Sequence, residues 1–582
     1  MRKFTADFET STPAWLINDD EARVWAYSIC EIGNNENFIY GNNIDDFFKF
    51  CMNKRENYLL YFHNLKFDSQ YILYWLFKNG YTHITDKRER KSKTFTTLIS
   101  DMGLFYSIEI YFDIPNKKHI NKVTIYDSMK ILAFGVEKIA KDFHLPIRKL
   151  NLDYDRYRPV GYELQPYEVS YIKNDVLIMA MALEIMFKEN LTKMTIGSNA
   201  LSYYKELTPN FNKLFPIIEN DLYKIIKKSY RGGFTYLNPI YENKETGKLI
   251  VLDVNSLYPS TMYYCRLPYG EPILYKGKYK EDLLYPLYIQ VISCSFKIKK
   301  GYIPTIQIKN SIMFASNEYL ESSNGEILTL TLTNIDLDLF LKHYDVKDLT
   351  YEYGFKFKGC VGMFEEYIDF WSNKKIQSKK EGNGAVYKIS KLMLNSLYGK
   401  FGTSQEMRAK IPYFEEDIIK YYITDPELVN GVYIPMASFI TSISRKKTIE
   451  TSQAIRDYTL KKYGVDYYIY SDTDSIHMLE LPEEELKQFV DIDDYRLGAW
   501  KLESKAKRGR FIRQKCYIEE NYDGSLNTAV AGLPKALGKY ITFENFEKGF
   551  SVLASDIEKE HKLRYKHYKG GVLLVDTDFT IK

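Results

Sequence analysis

Cysteine is scarce and scattered in this chain, at positions 30, 51, 265, 294, 360 and 516, with no C-x-x-C pair and none beside a histidine at zinc-ligand spacing. That pattern excludes a disulfide framework and a structural zinc site and predicts reduced, structural thiols. No window approaches the run of about 20 apolar residues that a membrane span requires, so no membrane role is expected. The opening Met1-Arg2-Lys3-Phe4-Thr5-Ala6-Asp7 has no apolar signal region and meets an acid early, which points to work in the cytoplasm. Internal repeats and low-complexity linkers are missing too, so boundaries must be read from turn residues and carboxylate motifs.

What is present is length and aromatic mass. A chain of 582 residues exceeds what one hydrophobic core organises, so two to four domains or subdomains are expected. Its 52 tyrosines and 34 phenylalanines offer faces for packing and for stacking on unpaired bases. The net charge of +4 says little by itself, but Lys501 to Lys515 carries seven basic residues against one glutamate. Such a strip is either a solvated surface or a grip on phosphates.

Residues 1 to about 195 alternate apolar strands, such as Tyr58 to Phe62 and Val123 to Tyr126, with helical stretches such as Tyr171 to Lys188, the pattern of an α/β domain. Here Asp7-Phe8-Glu9 sets two acids on one face of a strand and turns Phe8 to the core. Acids so placed repel each other unless a cation lies between them; a solvated strand is the plain alternative. Asp68 follows a second hydrophobic strand, and Tyr171 and Asp175 share a helix face at i, i+4. Four acids from three segments can hold two divalent ions about 3.5 to 4 Å apart, with the phenol orienting an attacking water. The chemistry implied is phosphodiester hydrolysis.

A second set begins with Asp253 at the end of the buried run Leu249 to Leu252. Tyr467 to Tyr470 leads into Ser471-Asp472-Thr473-Asp474-Ser475, which reads as a hairpin tip bearing two acids. Between these segments a helix is predicted from Glu381 to Tyr398, after a Gly-Asn-Gly break at 382 to 384. Its Lys391, Asn395 and Tyr398 share one face. A lysine suited to a triphosphate, an aromatic floor and acids suited to Mg²⁺ together describe nucleotidyl transfer.

The order D-x-E, N-x-x-x-D, Y-x-x-x-D, then D-x-x-S-L-Y-P, K-x-x-x-N-S-x-Y-G, Y-x-D-T-D-S resembles the exonuclease motifs and motifs A, B and C of family B DNA polymerases. The resemblance implies a mixed α/β and α+β multidomain fold: a ribonuclease-H-like 3′→5′ exonuclease domain followed by a right-hand palm, fingers and thumb. It implies Asp7, Glu9, Asp68 and Asp175 as exonuclease metal ligands or catalytic acids, Tyr171 as the water-orienting group and Lys149 as an auxiliary lysine. Thr10, Tyr61, His63, Asn64, Phe67, Ser128 and Met129 fall where the family grips a single-stranded 3′ end. In the polymerase half it implies Asp253, Asp474 and the Val254 carbonyl as metal ligands, with Asp472 supporting. Tyr258 is implied to exclude a ribose 2′-hydroxyl. Lys391, helped by either Lys375 or Lys379, would meet the triphosphate, beside Asn395 and Tyr398. DNA contacts are implied for Tyr230, Gly232 and Gly233 of a Y-x-G-G segment, for Ser256, for Thr441 with Arg445, and for Lys515 and Tyr517 of a K-x-Y motif.

With its first exonuclease acid at residue 7, few residues for fingers before motif B and a long stretch after motif A, the chain looks like the protein-primed subgroup of the phi twenty-nine phage type. That likeness implies an exonuclease domain over 1–195, palm over 196–264 and 434–540, and an insertion at 265–366 that meets a terminal protein. It further implies fingers over 367–402, a second insertion at 403–433 for strand displacement and processivity, and a thumb over 541–582. The implied cofactor is Mg²⁺, two ions per site, with Mn²⁺ as an alternative. The implied partners are template-primer DNA, deoxynucleoside triphosphates and a terminal protein, for a monomeric enzyme copying a linear phage or plasmid genome in its host's cytoplasm. An RNA-synthesising or reverse-transcribing palm enzyme is the rival; Tyr258 and the exonuclease set argue against it. A binding module that has lost its chemistry is a second rival, opposed by the full complement of carboxylates.

Overall fold

The computed structural model describes residues 1–52, 56–116, 119–308, 317–557 and 562–582. Its N-terminal sheet has eight strands in the order Asn34–Gly41, Val24–Glu31, Arg2–Thr10, Tyr58–Phe62, His119–Asp127, Phe105–Asn116, Thr94–Ile99, Thr82–His83. Arg2–Thr10, Tyr58–Phe62 and His119–Asp127 run parallel at its centre. A central parallel strand is covered on both faces, and all five residues of Tyr58–Phe62 are apolar and buried. Strand periodicity then sorts Arg2–Thr10. Phe4, Ala6 and Phe8 enter the core shared with the helices Ile44–Cys51 and Leu65–Lys78. Thr5, Asp7 and Glu9 face the other way, toward the helix Pro166–Lys188, where the Thr5 hydroxyl donates to the Val176 carbonyl at 2.8 Å.

A second, wholly antiparallel sheet of seven strands runs Leu526–Val530, Cys516–Asn521, Trp500–Arg513, Leu249–Val254, Ser475–Leu479, Tyr468–Asp472, Thr235–Leu237. The 30-residue helix Ile434–Tyr463 packs against it and ends at Gly464, whose φ of +68° suits glycine. In sequence between Leu249–Val254 and that long helix, the chain builds a separate four-stranded sheet in the order Leu267–Lys276, Tyr344–Cys360, Leu287–Ile298, Leu328–Thr333.

Two helices follow, Glu365–Lys380 and Gly384–Phe401. Here the boundary read from the sequence needs correcting. Glu381 caps the end of the first helix, Gly382 turns the chain at φ +70°, and Asn383 accepts from the Val386 N–H to start the second. The Gly-Asn-Gly break thus precedes the second helix, as the sequence suggests, but Glu381 belongs to the end of the first helix and the second starts at Gly384.

Two hairpins close back on the N-terminal domain. Lys410–Glu415 with Ile418–Ile423 stacks Phe414 on Phe77, centroids 5.8 Å apart at 13°, and the Tyr421 hydroxyl donates to Gln70 Oε1 at 2.8 Å. Lys562–Tyr568 with Gly571–Thr577 takes a hydrogen bond from the Tyr71 hydroxyl at the Val572 carbonyl, and Ala22 N donates to the Lys569 carbonyl at 2.8 Å. A Cβ on Gly570 would lie 1.9 Å from the Ala22 oxygen, so that turn demands glycine.

Two candidate active sites

Because Asp7 and Glu9 share the face that meets Pro166–Lys188, they converge with Asp175 of that helix: the three offer carboxylate oxygens all within 4.8 Å of one another. Asp68, one turn into Leu65–Lys78, is buried near Asp7 but lies outside this tight triad. Burial, with repulsion from neighbouring acids, pushes Asp7 up to about 7 and raises Glu9 and Asp68 above the usual carboxylate range, and burial raises Asp175 against the opposing pull of Lys149. Asp68 Oδ1 and Asp175 Oδ1 are buried with no hydrogen-bond partner. Buried oxygens without donors, on acids that repel, fit a divalent cation, which would satisfy both defects at once. Lys149 is ion-paired to Asp175. Burial, then Glu9, raises the Tyr171 phenol, so it stays a donor.

One residue of this site was not anticipated. The Tyr154 hydroxyl lies 2.7 Å from that of Tyr171 and thus orders it. A lone tyrosine in the polar loop before the helix carries no periodic signal.

The residues expected at a single-stranded end divide. Asn64, at φ +74°, and Phe67 flank the acids at the helix start, half-buried, and Thr10 ends the first strand. Buried Asp127 accepts from both Asn64 N and Met129 N at 3.0 Å, tying two of these loops together. Ser128 and His63 are spent internally: His63 Nδ1 pairs with Ser128 Oγ at 3.0 Å and Nε2 with the Phe134 carbonyl at 2.6 Å, while burial holds the imidazole below its usual pKa. Tyr61 is 2% exposed, packed between Tyr126 and Phe187. A direct DNA contact for Tyr61 is therefore corrected to a core role.

In the second sheet Leu249–Val254 lies between the acid-bearing hairpin and Trp500–Arg513, so Asp253 pairs with Ser475 on one side and Lys501 on the other. Val254, itself fully buried, donates its N–H to the Asp474 carbonyl at 2.8 Å. Burial pushes Asp253 up to about 7, with Asp474 and Glu503 adding repulsion and Lys501 and Lys391 opposing it. Burial, then Asp472 and Glu503, raises Asp474 as well. Asp253 and Asp474 thus share one open cleft with Asp472, Glu503 and Tyr517. Glu503 was missed in the sequence because a single acid inside a basic run looks like charge balance. Asp472 is held at the edge of this cleft by Thr235 Oγ1 at 3.1 Å and Lys515 Nζ at 3.2 Å.

Tyr258 and Tyr398 pack with ring centroids 4.1 Å apart and planes tilted by 34°, joining the helix Leu257–Tyr264, capped by Ser256 at φ +52°, to Gly384–Phe401. On the latter Lys391 and Asn395 are exposed on one face while Met393, Leu394 and Leu397 are buried on the other. Lys375 is half-buried and Lys379 exposed; burial, then Lys391 and Lys379, lowers the Lys375 pKa, so these three cations crowd one region.

Three further expectations change. Gly233 was read as an approach to DNA, yet a Cβ there would sit 2.4 Å from Thr473 Oγ1: the glycine lets the backbone beside Tyr230 press on the acid-bearing turn. Gly232, by contrast, faces open space. Thr441 (1% exposed) and Arg445 (3%) are too buried to touch a template. Arg445 pairs with Asp336 at 2.6 Å and donates to the Arg231 and Gly232 carbonyls at 2.8 Å each, so it props the segment from behind. The basic strip is also largely neutralised: Lys505 pairs with Glu480, Lys507 and Arg508 with Glu520, and Arg510 with Glu245. Of its cations, Lys501 approaches Asp253 and Lys515 pairs with Asp472.

A nuclease-like α/β domain joined to an antiparallel sheet with acids at a hairpin tip defines an enzyme that makes and breaks phosphodiesters at two places. The family model for DNA polymerase type B, organellar and viral, matches residues 50–490. The DNA polymerase of Bacillus phage M2 is 44% identical over the whole of both chains, and that of Streptococcus phage Cp-1 is 32% identical over all of this chain and 98% of its own. The phi29 DNA polymerase structure in its orthorhombic crystal form superposes with a TM-score of 0.90 at 41% identity, each chain covered in full. This chain belongs to the organellar and viral type B DNA polymerases. It is a DNA-directed DNA polymerase with a proofreading 3′→5′ exonuclease.

Proposed function

We propose that Asp7, Glu9, Asp68 and Asp175 carry the exonuclease and that Asp253 and Asp474, with the Val254 carbonyl, carry synthesis, each set with two Mg²⁺ ions or, alternatively, Mn²⁺. The observation that supports this most is that each cluster holds one carboxyl, Asp7 or Asp253, raised to about 7 by burial and by repulsion from its neighbours, an arrangement that costs stability unless cations fill it. When bound, such ions supply Lewis acidity toward phosphate oxygens. The chain's own groups do the rest. Tyr171, ordered by Tyr154, orients a water, and Lys149 steadies Asp175. At the other site Lys391, with Lys375 as the better-positioned helper, meets the triphosphate; Lys375 is favoured because it is the more buried. The packed pair Tyr258 and Tyr398 forms the floor under the sugar and base, with Asn395 beside it. Lys515 and Tyr517 hold the primer end.

We further infer that template-primer DNA and deoxynucleotides are the substrates, since the similar phi29 polymerase is seen complexed with primer-template DNA and incoming nucleotide substrates. By the same likeness synthesis is strand-displacing and starts on a hydroxyl of a terminal protein held by residues 265–366, in a monomeric enzyme. The test is extension of a primed template with Mg²⁺ and deoxynucleotides, with and without a blocked downstream strand. Asp253→Asn should abolish extension and spare digestion of a single strand; Asp7→Ala with Glu9→Ala should do the reverse. If either change removed both activities, the two-site assignment would fall.

A further inference from the structure

In the wall of the cleft, at His477, lies a buried acid–imidazole pair that neither set of proposed catalytic residues uses. His477 Nδ1 is 2.6 Å from Glu519 Oε1, with the two residues 2% and 1% exposed. Asn527, opposite Glu519 on the neighbouring strand, donates Nδ2 to Oε2 at 2.9 Å, so both carboxylate oxygens are engaged. The imidazole is walled by three rings: Tyr517 at 5.0 Å, Tyr470 at 5.2 Å and Phe511 at 5.7 Å between centroids, all tilted or edge-on. Tyr517 stacks on Phe511 at 5.3 Å and 25°. Tyr470 reaches forward: its hydroxyl accepts from Lys515 N at 3.0 Å. The two residues of the K-x-Y motif therefore both rest, through aromatic rings, on His477.

We propose that Glu519 and His477 are positioning residues for the primer terminus. An imidazole between a carboxylate and an aromatic box has one preferred tautomer, with Nδ1–H donating to Glu519, and its ring plane is fixed by that bond. Fixing the plane fixes the face on which Tyr517 packs, and so the height of Tyr517 above the acids of the hairpin tip. Two buried polar groups in a sheet core would otherwise be a poor exchange for an apolar pair; their use is orientation. The inference rests on the reading of Lys515 and Tyr517 as primer-binding residues.

The test measures KM for primer-template and kcat for single-nucleotide addition. Glu519→Leu should raise the primer KM about tenfold while kcat at saturation changes less than about threefold, the signature of lost positioning. Glu519→Gln, whose amide oxygen still accepts from Nδ1–H, should stay within about twofold of the parent. Digestion of a single-stranded 3′ end, at the remote site, reports folding. Should Glu519→Leu lose that too, Asn527→Ala decides, with an expected primer KM rise of about threefold. An unchanged KM in the variant that folds, or equal damage from Gln and Leu, overturns the proposal. Tyr517→Ala separates the two layers: if it leaves the primer KM unchanged, the primer-binding reading itself is wrong, whereas a raised KM there beside a parental Glu519→Leu sinks the positioning role alone.

Discussion

At the scale of single residues, function here depends on side chains whose partners are far away in sequence. Tyr258 is packed against Tyr398, 140 positions on, with ring centroids 4.1 Å apart. Removing the ring in Tyr258→Ala opens space under the sugar, and discrimination against ribonucleotides should relax by about 10- to 100-fold, the range a single steric contact spans; incorporation assays with each nucleotide type check it. Equal ribonucleotide use by parent and variant would remove Tyr258 from that role. Arg445 is the converse case, a charge that never meets solvent. Its guanidinium is paired with Asp336 and holds two carbonyls of the Y-x-G-G segment. Breaking one side of a buried pair costs about 3–5 kcal/mol, so Arg445→Ala should lower the melting temperature clearly and depress extension. A variant that melted like the parent would mean the pair is not buried in solution.

Among elements, the hairpin Tyr468–Asp472 and Ser475–Leu479 is set by contacts on three sides. Leu249–Val254 pairs with it, the Phe234 carbonyl accepts from Thr473 N at 2.7 Å, and Thr448 of the long helix donates to the Thr473 carbonyl at 2.9 Å. Gly233 is the closest of these neighbours. Gly233→Ala would push a methyl into Thr473, and the two acids flanking Thr473 would move with it. We expect extension to fall by about tenfold or more, since small misplacements at a reacting centre are expensive, with single-strand digestion unchanged. Adding Thr473→Ala, which deletes both crowding atoms, Oγ1 and Cγ2, should recover part of the loss. Absence of any defect in Gly233→Ala would show that the turn yields freely.

For the whole molecule, the two acid clusters couple stability to pH and to metal. In each, a carboxyl sits near 7 against an unfolded value of about 4. Between those values the folded chain holds protons that the unfolded chain has released, so folding is favoured at the acid end and stability falls as pH rises, levelling off above about 7. Divalent ions bind the ionised form. The gain in melting temperature on adding Mg²⁺ to chelator-treated protein should therefore be larger at pH 8 than at pH 5, and Asp7→Ala with Glu9→Ala should shrink it. Scanning calorimetry measures this; an equal gain at both pH values would contradict it.

How much of this was readable beforehand follows from range. Strand alternation placed Asp7 and Glu9 on one face with Phe8 opposite, and the run before Asp253 marked a buried strand; both are local facts, carried by side-chain period. The order of six motifs gave the family. What local pattern could not give was which charges are spent on one another. Lys505, Lys507, Arg508 and Arg510 looked like a phosphate grip until strands and loops from elsewhere brought Glu480, Glu520 and Glu245 against them. Thr441 and Arg445, Tyr61 and Gly233 likewise kept their motif positions but turned inward. The chemistry was legible in the bare chain, because carboxylates, lysines and their periodicity are written residue by residue. Burial and pairing came only with folding, because an ion pair or a close approach is a property of two segments, and either one alone is silent about its partner.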